Sequence, residues 1–480
     1  MLQFKDTDIF KNLSLFNNDE TNSIVSFLKF LKSANLEKLF NTPGQSKYSR
    51  GYSFVSIALY YFLGLGNVNQ FYNSSWARLI SNGKDVFYRF SSNPDINWRT
   101  VMTKLNHKLL RTISIADQGS NSPTCFIIDD SDIPKRGRKI EFIGRVWSHV
   151  FNKSILGFKS LNLCLWNGRS LFAIDFSFHF ELGKNNAKVQ GMKPTHIKQR
   201  YTKHRPANCY GTQRVNELAK SKIEMSISML KTAIKNGLSA RYVLVDSWFC
   251  CEKMIKYVYS LSKTDLICRA KMGTAKYFYA NKNLTTKALL AKFKYRKDVR
   301  KYSRKLKANY ILLKVDFKEI PIKLLFLQTG RDKWIVLLTT DRKASVTKII
   351  ETYQIRWSIE IFFKECKQHL GLGKCQANDF DAQIANTTIA LIRYNWLSKI
   401  KSESQNYGVG TLFRKISQSI NSPTIVDQII KLFYKMQSIL TQILEIDVEQ
   451  VLERILNHPN LSEFDYRLMK LFASIDTCET

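Results

Sequence analysis

The stretch CFIIDDSD at residues 125–132 combines an apolar run with a cluster of acids. The apolar run predicts a buried strand that ends in Asp129 and Asp130. A second stretch, RYVLVD at residues 241–246, has the same form and ends in Asp246. Neighbouring parallel strands lie about 4.8 Å apart, so acids at matching positions on two such strands can share one metal ion.

Side chains alternate along a strand, so only one of Asp129 and Asp130 can face such a cleft. A single aspartate at a strand end is more often a turn former than a metal ligand. Asp175 and Asp341 also follow apolar runs in this chain. The aspartates by themselves therefore leave both interpretations open.

A polar stripe runs along the stretch YQIRWSIEIFFKECK at residues 353–367, which predicts a helix within about 345–370. At about 100° per residue, four of its polar side chains fall within an arc of about 60°. These four are Tyr353, Arg356, Glu360 and Lys367. The side predicted to face a core carries Ile355, Ile359, Phe362 and Cys366. The helix is thus apolar apart from one narrow row of charge.

Burying this stripe without partners would cost several kcal/mol, so we expect it to line a cleft. A phosphodiester and a divalent metal suit it, with Glu360 on the metal and Arg356, Lys367 and Tyr353 on phosphate oxygens. The alternative is an intrahelical ion pair between Arg356 and Glu360, four residues apart. Three clustered carboxylates would repel one another without a cation, which implies Mg²⁺, with Mn²⁺ as a substitute, in a two-metal site.

The charge balance points to a polyanionic partner. The 480 residues include 74 Lys and Arg against 39 Asp and Glu, a net charge of +35. Such like charge disfavours the compact state, and nucleic acid is the usual compensating partner. The alternative is a generally basic protein from a Lys-rich proteome. A chain of this length predicts two to four domains.

Several classes are disfavoured by the residues that the chain contains. Its nine cysteines are scattered without a C-x-x-C pair, which is typical of reduced thiols in a cytosolic protein. The longest uncharged run, between residues 50 and 78, is too short in its apolar part for a membrane span, and no signal peptide is recognisable. No His has metal-ligand spacing, and no P-loop or glycine-rich nucleotide motif occurs, so neither zinc nor a nucleotide cofactor is expected.

The pattern of apolar residues divides the chain into five regions. Residues 1–118 read as helical and 119–270 as mixed strands and helices, with a long polar loop over 183–212. Residues 271–340 read as β-rich, with the basic stretch KFKYRKDVRKYSRKLK at their edge. The stripe helix lies in 341–400. Residues 401–480 read as helical, and a heptad-like seam over 426–443 predicts either self-association or an ordinary core-facing helix.

The four stripe residues follow the order Tyr-x2-Arg-x3-Glu-x6-Lys behind two strand-end aspartates. This arrangement resembles the Tyr-Arg-Glu-Lys signature of DDE transposases from bacterial insertion sequences, in particular insertion sequence family four. The resemblance covers about residues 120–400, whereas the flanking helical regions share only the general layout. It implies a ribonuclease-H-like α/β core with a β-rich insertion between the second aspartate and the glutamate.

The resemblance also implies which residues act. Asp129, Asp246 and Glu360 become the catalytic and metal-binding acids, because Asp129 opens an Asp-x-Ser pattern that the family shares. Asp130 is kept as the alternative to Asp129. Trp248 stands where the family often has a small residue, which leaves the local loop after Asp246 in doubt.

Other residues are expected to contact DNA, either through phosphates or by holding a flipped base. They are Tyr353, Arg356, Lys367, Trp334, Lys198, Arg200, Arg300 and Arg304. For Trp334 the alternative is a place in the core of a strand. For the basic stretches around the arginines and Lys198 the alternative is a solvated charged face.

Members of the family cut DNA at the inverted-repeat ends of their element, often through a hairpin, and insert it elsewhere as dimers. The resemblance implies the same reaction here, on double-stranded DNA, with a homodimer in the DNA complex. It implies a bacterial cytoplasmic protein that is nucleoid-associated when bound to DNA. Two alternatives remain: a ribonuclease-H-like nuclease without strand transfer, and an inactive DNA-binding relic acting as a regulator.

Overall fold

The computed structural model describes residues 22–40, 49–74, 83–114, 122–181, 189–404 and 407–421. The chain divides into two compact units, Met1–Ser417 and Gln418–Thr480. The second unit lies outside the described residues apart from 418–421, and so does the heptad-like seam predicted over 426–443. The described part of the first unit is a mixed α/β structure with one large sheet and flanking helices.

The N-terminal region is helical in its described residues, as predicted. Its helices are α1 (Asn22–Ser33), α2 (Leu36–Leu39), α3 (Arg50–Leu59), α4 (Val68–Tyr72), α5 (Lys84–Ser91) and α6 (Trp98–Ser114). The Ser49 hydroxyl caps α3 by accepting the backbone N–H of Tyr52 at 3.0 Å. Aromatic side chains hold these helices together, since the ring of Phe40 lies 5.1 Å from Phe54 and 5.3 Å from Phe90.

Twelve strands form one sheet in the order β2-β3-β1-β5-β6-β12-β11-β10-β7-β8, with β4 paired to β3 and β9 to β10. The first five strands along the chain are β1 (Cys125–Pro134), β2 (Gly144–Ser148), β3 (Lys153–Trp166), β4 (Leu171–His179) and β5 (Tyr242–Val245). The others are β6 (Asp265–Ala270), β7 (Lys276–Tyr279), β8 (Lys282–Thr285), β9 (Lys301–Ser303), β10 (Ala308–Phe317), β11 (Ile320–Gln328) and β12 (Trp334–Thr339).

The predicted neighbours β1 and β5 are adjacent and parallel, with Ile128 opposite Val245. The residues that follow this pair are Asp129 and Asp246. A parallel pair needs a long crossover, and helices between β4 and β5 provide it. The crossover and the segment after β5 contain α7 (Pro194–Lys198), α8 (Tyr210–Glu217), α9 (Lys222–Lys235) and α10 (Glu252–Tyr259). The prediction of parallel neighbours at this edge is confirmed.

The expected helix over about 213–236 is divided into α8 and α9. Ser221 begins the second helix with a capping box, in which its hydroxyl and the carboxylate of Glu224 each bond the other residue's backbone N–H. A similar difference affects the polar loop predicted over 183–212, because α7 lies inside it. The capping box at Ser221 explains why α8 and α9 are separate helices. It provides hydrogen-bond acceptors for backbone N–H groups at the start of α9, which would otherwise have no partner.

The strands of residues 276–339 extend the sheet without a break. β12 runs antiparallel to β6, with Val336 opposite Ala270, and β11 and β10 follow outward. One helix, α11 (Thr286–Phe293), lies among them. Their buried side chains, such as Ile311 and Leu324, belong to the same hydrophobic cluster as Phe126 of β1. The predicted boundaries of 271–340 as a separate insertion stay a prediction.

The stripe lies on two helices rather than on the single predicted one. They are α12 (Val346–Gln354) and α13 (Ser358–His369), joined by a 3-10 turn at Ile355–Trp357. Ile359, Phe362 and Cys366 are fully buried, as predicted, whereas Ile355 in the turn is only half-buried. The long helix α14 (Phe380–Ser404) and α15 (Val409–Asn421) follow. Among the described residues no helix is long and apolar enough to cross a bilayer.

A buried arginine links the N-terminal helices to α14. Arg393 is 2% exposed, and its guanidinium donates to the backbone carbonyls of Ala58 at 2.9 Å and Leu370 at 2.8 Å. The same guanidinium lies over the rings of Tyr60 and Tyr61, at 5.2 and 4.5 Å from their centroids. One side chain thus joins the end of α3, the end of α13 and the middle of α14.

We expect Arg393→Met to lower the free energy of unfolding by about 3 kcal/mol or more, because the buried carbonyls of Ala58 and Leu370 lose their donor. Denaturant titration followed by circular dichroism measures this change. Arg414→Met is the control, since Arg414 is exposed and its loss should stay within about 0.5 kcal/mol. Equal effects of the two substitutions would contradict the linking role of Arg393.

A buried histidine in β4 predicts acid sensitivity. His179 is 4% exposed, and burial, reinforced by Lys222, lowers its pKa to about 4 despite Glu217 and Asp130. In the unfolded chain the pKa of this histidine is about 6.5, so between about pH 6.5 and pH 4 the unfolded state binds a proton and the folded state does not. The free energy of unfolding therefore falls between about pH 6.5 and pH 4, by up to about 3 kcal/mol. His179→Gln should remove this part of the fall, and exposed His149→Gln should not, in melting temperatures taken at each pH.

Candidate active site

Asp129 and Asp246 each follow the last residue of the β1–β5 pairing, Ile128 and Val245, on neighbouring strands. β5 ends there, but β1 continues to Pro134 and stays paired with β3, so the prediction of a strand that ends in Asp129 and Asp130 is wrong for β1. The side chain of Asp129 is 14% exposed. One carboxylate oxygen of Asp246 accepts the backbone N–H groups of Trp248 at 2.8 Å and Phe249 at 3.2 Å. These bonds fix the turn after β5 and orient the Asp246 carboxylate, whose other oxygen accepts neither of these two donors.

Arg356 lies between two of the three predicted acids. Its Nη1 donates to Asp129 at 2.7 Å and to Glu360 at 3.4 Å. The ring of Tyr353 is beside it, with the guanidinium carbon 5.9 Å from the ring centroid. The intrahelical pair weighed from the sequence therefore exists, but the shorter and more buried contact of Arg356 goes to β1. The stripe faces the part of β1 that carries Asp129 and Ser131.

Lys367 reaches the same strand farther along. Its Nζ donates to the hydroxyl of Ser131 at 2.8 Å. Burial lowers the pKa of Lys367, although the nearby Asp132 opposes this, and Asp132 is itself paired with Lys159. A second cation is thus held within two residues of Asp129 along β1.

Burial and a neighbouring carboxylate disfavour the charged form of Asp129. Burial raises the pKa of Asp129 to about 7, Arg356 opposes the rise, and the neighbouring Asp246 adds to it. Burial raises the pKa of Tyr353 to about 12, which keeps its phenol protonated at neutral pH. The site therefore holds the guanidinium of Arg356 beside the carboxylate of Asp129. An added cation would favour the ionised form of Asp129.

Asp130 has different surroundings from Asp129, as the alternation of strand side chains requires. It forms an ion pair with Lys222, at the start of α9. The Nζ of Lys222 also lies 3.9 Å from the ring centroid of Trp248, which is 45% exposed. The choice between Asp129 and Asp130 was open from the sequence, and of these two only Asp129 contacts the stripe in the described structure.

The two comparison aspartates have structural partners. Asp175 binds the guanidinium of Arg99 at 2.8 Å. Asp341 accepts the hydroxyl of Tyr242 at 2.8 Å and one N–H of Arg241 at 3.0 Å. In the structure Asp175 lies inside β4 and Asp341 follows β12, and both are bound by partners other than the stripe.

Three of the predicted DNA-contacting residues lie in or beside short connecting segments. Lys198 is exposed at the end of α7. Arg200 is half-buried and donates to the side chain of Gln190 at 2.5 Å and to the sulfur of Met192 at 3.1 Å, so its own loop holds it. Arg300 donates to the backbone carbonyl of Lys294 at 3.3 Å.

Arg304 is exposed in the turn between β9 and β10. Trp334 begins β12 and packs, half-buried, against the main hydrophobic cluster. Its indole nitrogen is buried and has no hydrogen-bond partner in the described structure. The place of Trp334 matches the strand-core alternative weighed for it, and its contact with a flipped base stays a prediction.

The basic loop predicted to hold phosphates is partly neutralised from within. Lys203 lies 2.8 Å from Asp379 and 2.9 Å from Asp381, and Arg205 lies 3.0 Å from Asp381. Arg205 also pairs with Glu141, which is almost fully buried. Buried acids from distant segments therefore bind Lys203 and Arg205, and the contact of this loop with DNA stays a prediction.

Among the residues that the structure describes, no group of three His, Cys, Asp or Glu side chains is arranged to hold one metal ion.

Two large side chains beside the stripe are exposed, Trp357 at 63% and Ile361 at 46%. Lys222 was missed, because nothing in the sequence connects it with Asp130.

The pairing of β1 with β5 brings two aspartates together, and the segment from Arg356 to Lys367 faces β1 with one acid and two cations. The family model described as "Transposase DDE domain" matches residues 121–396, more than half of the chain. The chain belongs to this family of DDE transposase domains.

Two further comparisons are more limited. A protein of Sinorhizobium fredii (strain NBRC 101917 / NGR234), named "Putative transposase y4zB", is 35% identical over 75 residues. The match covers 16% of this chain and only 21% of that protein. The NurA nuclease from Sulfolobus solfataricus superposes with a TM-score of 0.24 at 7% identity, over 52% of this chain and 81% of that one. At that score it carries no argument about the fold.

A double-mutant cycle should detect coupling between Asp129 and Arg356. We expect Asp129→Asn and Arg356→Gln to show a coupling of about 1–3 kcal/mol in the free energy of unfolding, because the pair is mostly buried. The control is the exposed pair Lys305 and Glu351, at 2.6 Å, for which about 0–1 kcal/mol is expected. Measurement in buffer without divalent ions avoids metal effects. No more coupling in the first cycle than in the second would contradict the contact.

Proposed function

We propose that this protein is the transposase of a bacterial insertion sequence. It cleaves DNA at the inverted-repeat ends of its element and joins the 3′-OH ends to target DNA, in a cut-and-paste reaction. The family membership supports the transposase function in general. The observation that carries the proposal to this chain's own residues is the parallel register of β1 and β5, which sets Asp129 beside Asp246 in reach of the stripe.

The acids fit a divalent cation by their chemistry. Asp129 and Asp246 are adjacent carboxylates, Asp246 adds to the raised pKa of Asp129, and hard oxygen donors are what Mg²⁺ and Mn²⁺ prefer. We propose that these two residues hold the metal, with Glu360 as the third acid and Asp130 outside the set. When bound, paired metal ions would activate the attacking oxygen and stabilise the leaving oxygen.

Arg356 and Lys367 have a separate role, the binding of DNA phosphates. Arg356 and Lys367 are held against β1 by Asp129 and Ser131, so both are oriented before DNA binds. Each can bind a phosphate oxygen beside the acids, and the protonated phenol of Tyr353 can donate to another. Arg356 also balances the charge of Asp129 and Glu360 in the protein without DNA.

The proposal also covers the domains, the DNA-binding residues and the oligomeric state. Strands β4, β3, β1, β5 and β6 form the ribonuclease-H-like core, and the strands of 276–339 form its insertion. Duplex DNA lies along the basic side of the chain, with Lys198, Arg300 and Arg304 on phosphates, in keeping with the net charge of +35. The DNA complex is a homodimer in the bacterial cytoplasm. A regulator without catalysis and a nuclease without strand transfer are the competing functions.

The test is Mg²⁺-dependent cleavage of duplex DNA that carries the sequences flanking the gene on both sides. We expect Glu360→Gln to lower the cleavage rate by roughly a hundredfold or more, with DNA binding retained, because one acid of the site loses its charge. Glu365→Gln is the matched control on the same helix, since the Glu365 carboxylate accepts the N–H of Gly410 away from the stripe. This control should keep most of the cleavage.

Three results would oppose the proposal. Binding without cleavage by the intact protein would favour the regulator. Cleavage without joining of 3′-OH ends to a target plasmid would favour the nuclease. An equal loss in both glutamate variants would remove Glu360 from the site.

A further inference from the structure

Two thiols meet beneath the loop that follows Asp246. Cys250 lies in this loop, between β5 and α10, and Cys268 lies in β6 opposite Val245, the residue before Asp246. Their sulfur atoms are 3.2 Å apart, with the Cys268 thiol donating toward Cys250. Among the cysteines that the structure describes, all are free, and this is the pair with directly contacting sulfurs.

The two thiols differ in access and in acidity. Cys268 is fully buried, whereas Cys250 is partly exposed. The hydrogen bond from Cys268 lowers the pKa of the Cys250 thiol against the effect of burial, and Lys271 lowers it further. Burial raises the pKa of Cys268 well above its ordinary value. Cys250 is thus the accessible and more nucleophilic partner, and Cys268 is a protected second thiol.

Packing and metal binding explain the pair less well. A buried cysteine serves as a small apolar side chain, which suits Cys268 in the main hydrophobic cluster. It does not require a second sulfur in contact, and Cys250 only packs at the edge of that cluster. A metal site needs more donors than two thiols, and the described residues contain no group of three.

We propose that Cys250 and Cys268 are a reversible disulfide-forming site that joins the loop after Asp246 to β6. The oxidant is hydrogen peroxide. The Cys250 thiolate attacks one peroxide oxygen, the O–O bond breaks, and sulfenic acid and hydroxide form; the hydroxide takes up the proton that the Cys250 thiol released and becomes water. The Cys268 thiol then attacks the sulfenic sulfur, its proton leaves with the hydroxyl as water, and the S–S bond forms. Two thiols are oxidised and one peroxide is reduced to two waters.

The geometry allows the bond with a small movement. A disulfide needs its sulfurs about 2.05 Å apart, roughly 1 Å closer than they are here. The cross-link would connect the segment that carries Asp246, Trp248 and Cys250 to a strand at the centre of the sheet. Disulfides in a cytosolic protein are usually transient, and a small thiol reductant reverses this one. The proposal does not depend on the transposase reaction.

The experiment treats the full-length protein with hydrogen peroxide, blocks remaining thiols with iodoacetamide, and identifies linked peptides by mass spectrometry without reduction. We expect a Cys250–Cys268 linkage and the loss of two alkylatable thiols per chain, both restored by dithiothreitol. Cys251→Ser is the matched control, because Cys251 is adjacent in the chain and should leave the linkage unchanged.

The variants Cys250→Ser and Cys268→Ala should lose the linkage, and circular dichroism checks that each is folded. With Cys268→Ala, Cys250 should trap as sulfenic acid, detected by dimedone labelling. A wild-type protein whose Cys250 goes to sulfinic or sulfonic acid without the linkage would overturn the proposal. So would a Cys250–Cys251 bond or a bond between chains in its place. These readouts need no DNA, so their failure is distinct from failure of the cleavage test.

Discussion

The parallel ladder between β1 and β5 is the constraint on which the site depends. It aligns Ile128 with Val245 and so brings Asp129 and Asp246 together from segments more than a hundred residues apart. A shift of one residue in either strand would turn one acid away, because side chains alternate. The apolar residues before each aspartate prevent that shift, since they are buried in the sheet.

The negative charge of Asp129 is balanced by cations from a distant part of the chain. Arg356 pairs with Asp129 and Glu360, and Lys367 is held by Ser131. Arg356 lies in a 3-10 turn between α12 and α13, so the stripe bends at the residue that contacts both acids. A buried carboxylate beside another carboxylate is unfavourable, and this guanidinium offsets part of that cost.

Tertiary partners changed the interpretation of several residues whose type alone suggested DNA contact. Lys203 and Arg205 look like phosphate ligands in a basic loop, yet Asp379, Asp381 and Glu141 bind them. These acids come from segments distant in sequence, so no local pattern reveals the pairing. Trp334 likewise follows a basic turn but packs on the core. In a chain of charge +35, cations that fold against buried acids of distant segments add less to the attraction of a polyanion than unpaired ones do.

The sequence by itself determined the helical N-terminal region, the two apolar strands, and the four-residue stripe with its buried opposite side, because hydrophobic periodicity is local. It also identified the family, since the spacing of Tyr353, Arg356, Glu360 and Lys367 is a property of one segment. Only the tertiary structure showed that Asp129, and not Asp130, contacts the stripe. Only the tertiary structure divided the stripe between two helices and placed the thiol of Cys250 against that of Cys268. Each of these depends on contacts between distant segments, which spacing along the chain does not encode.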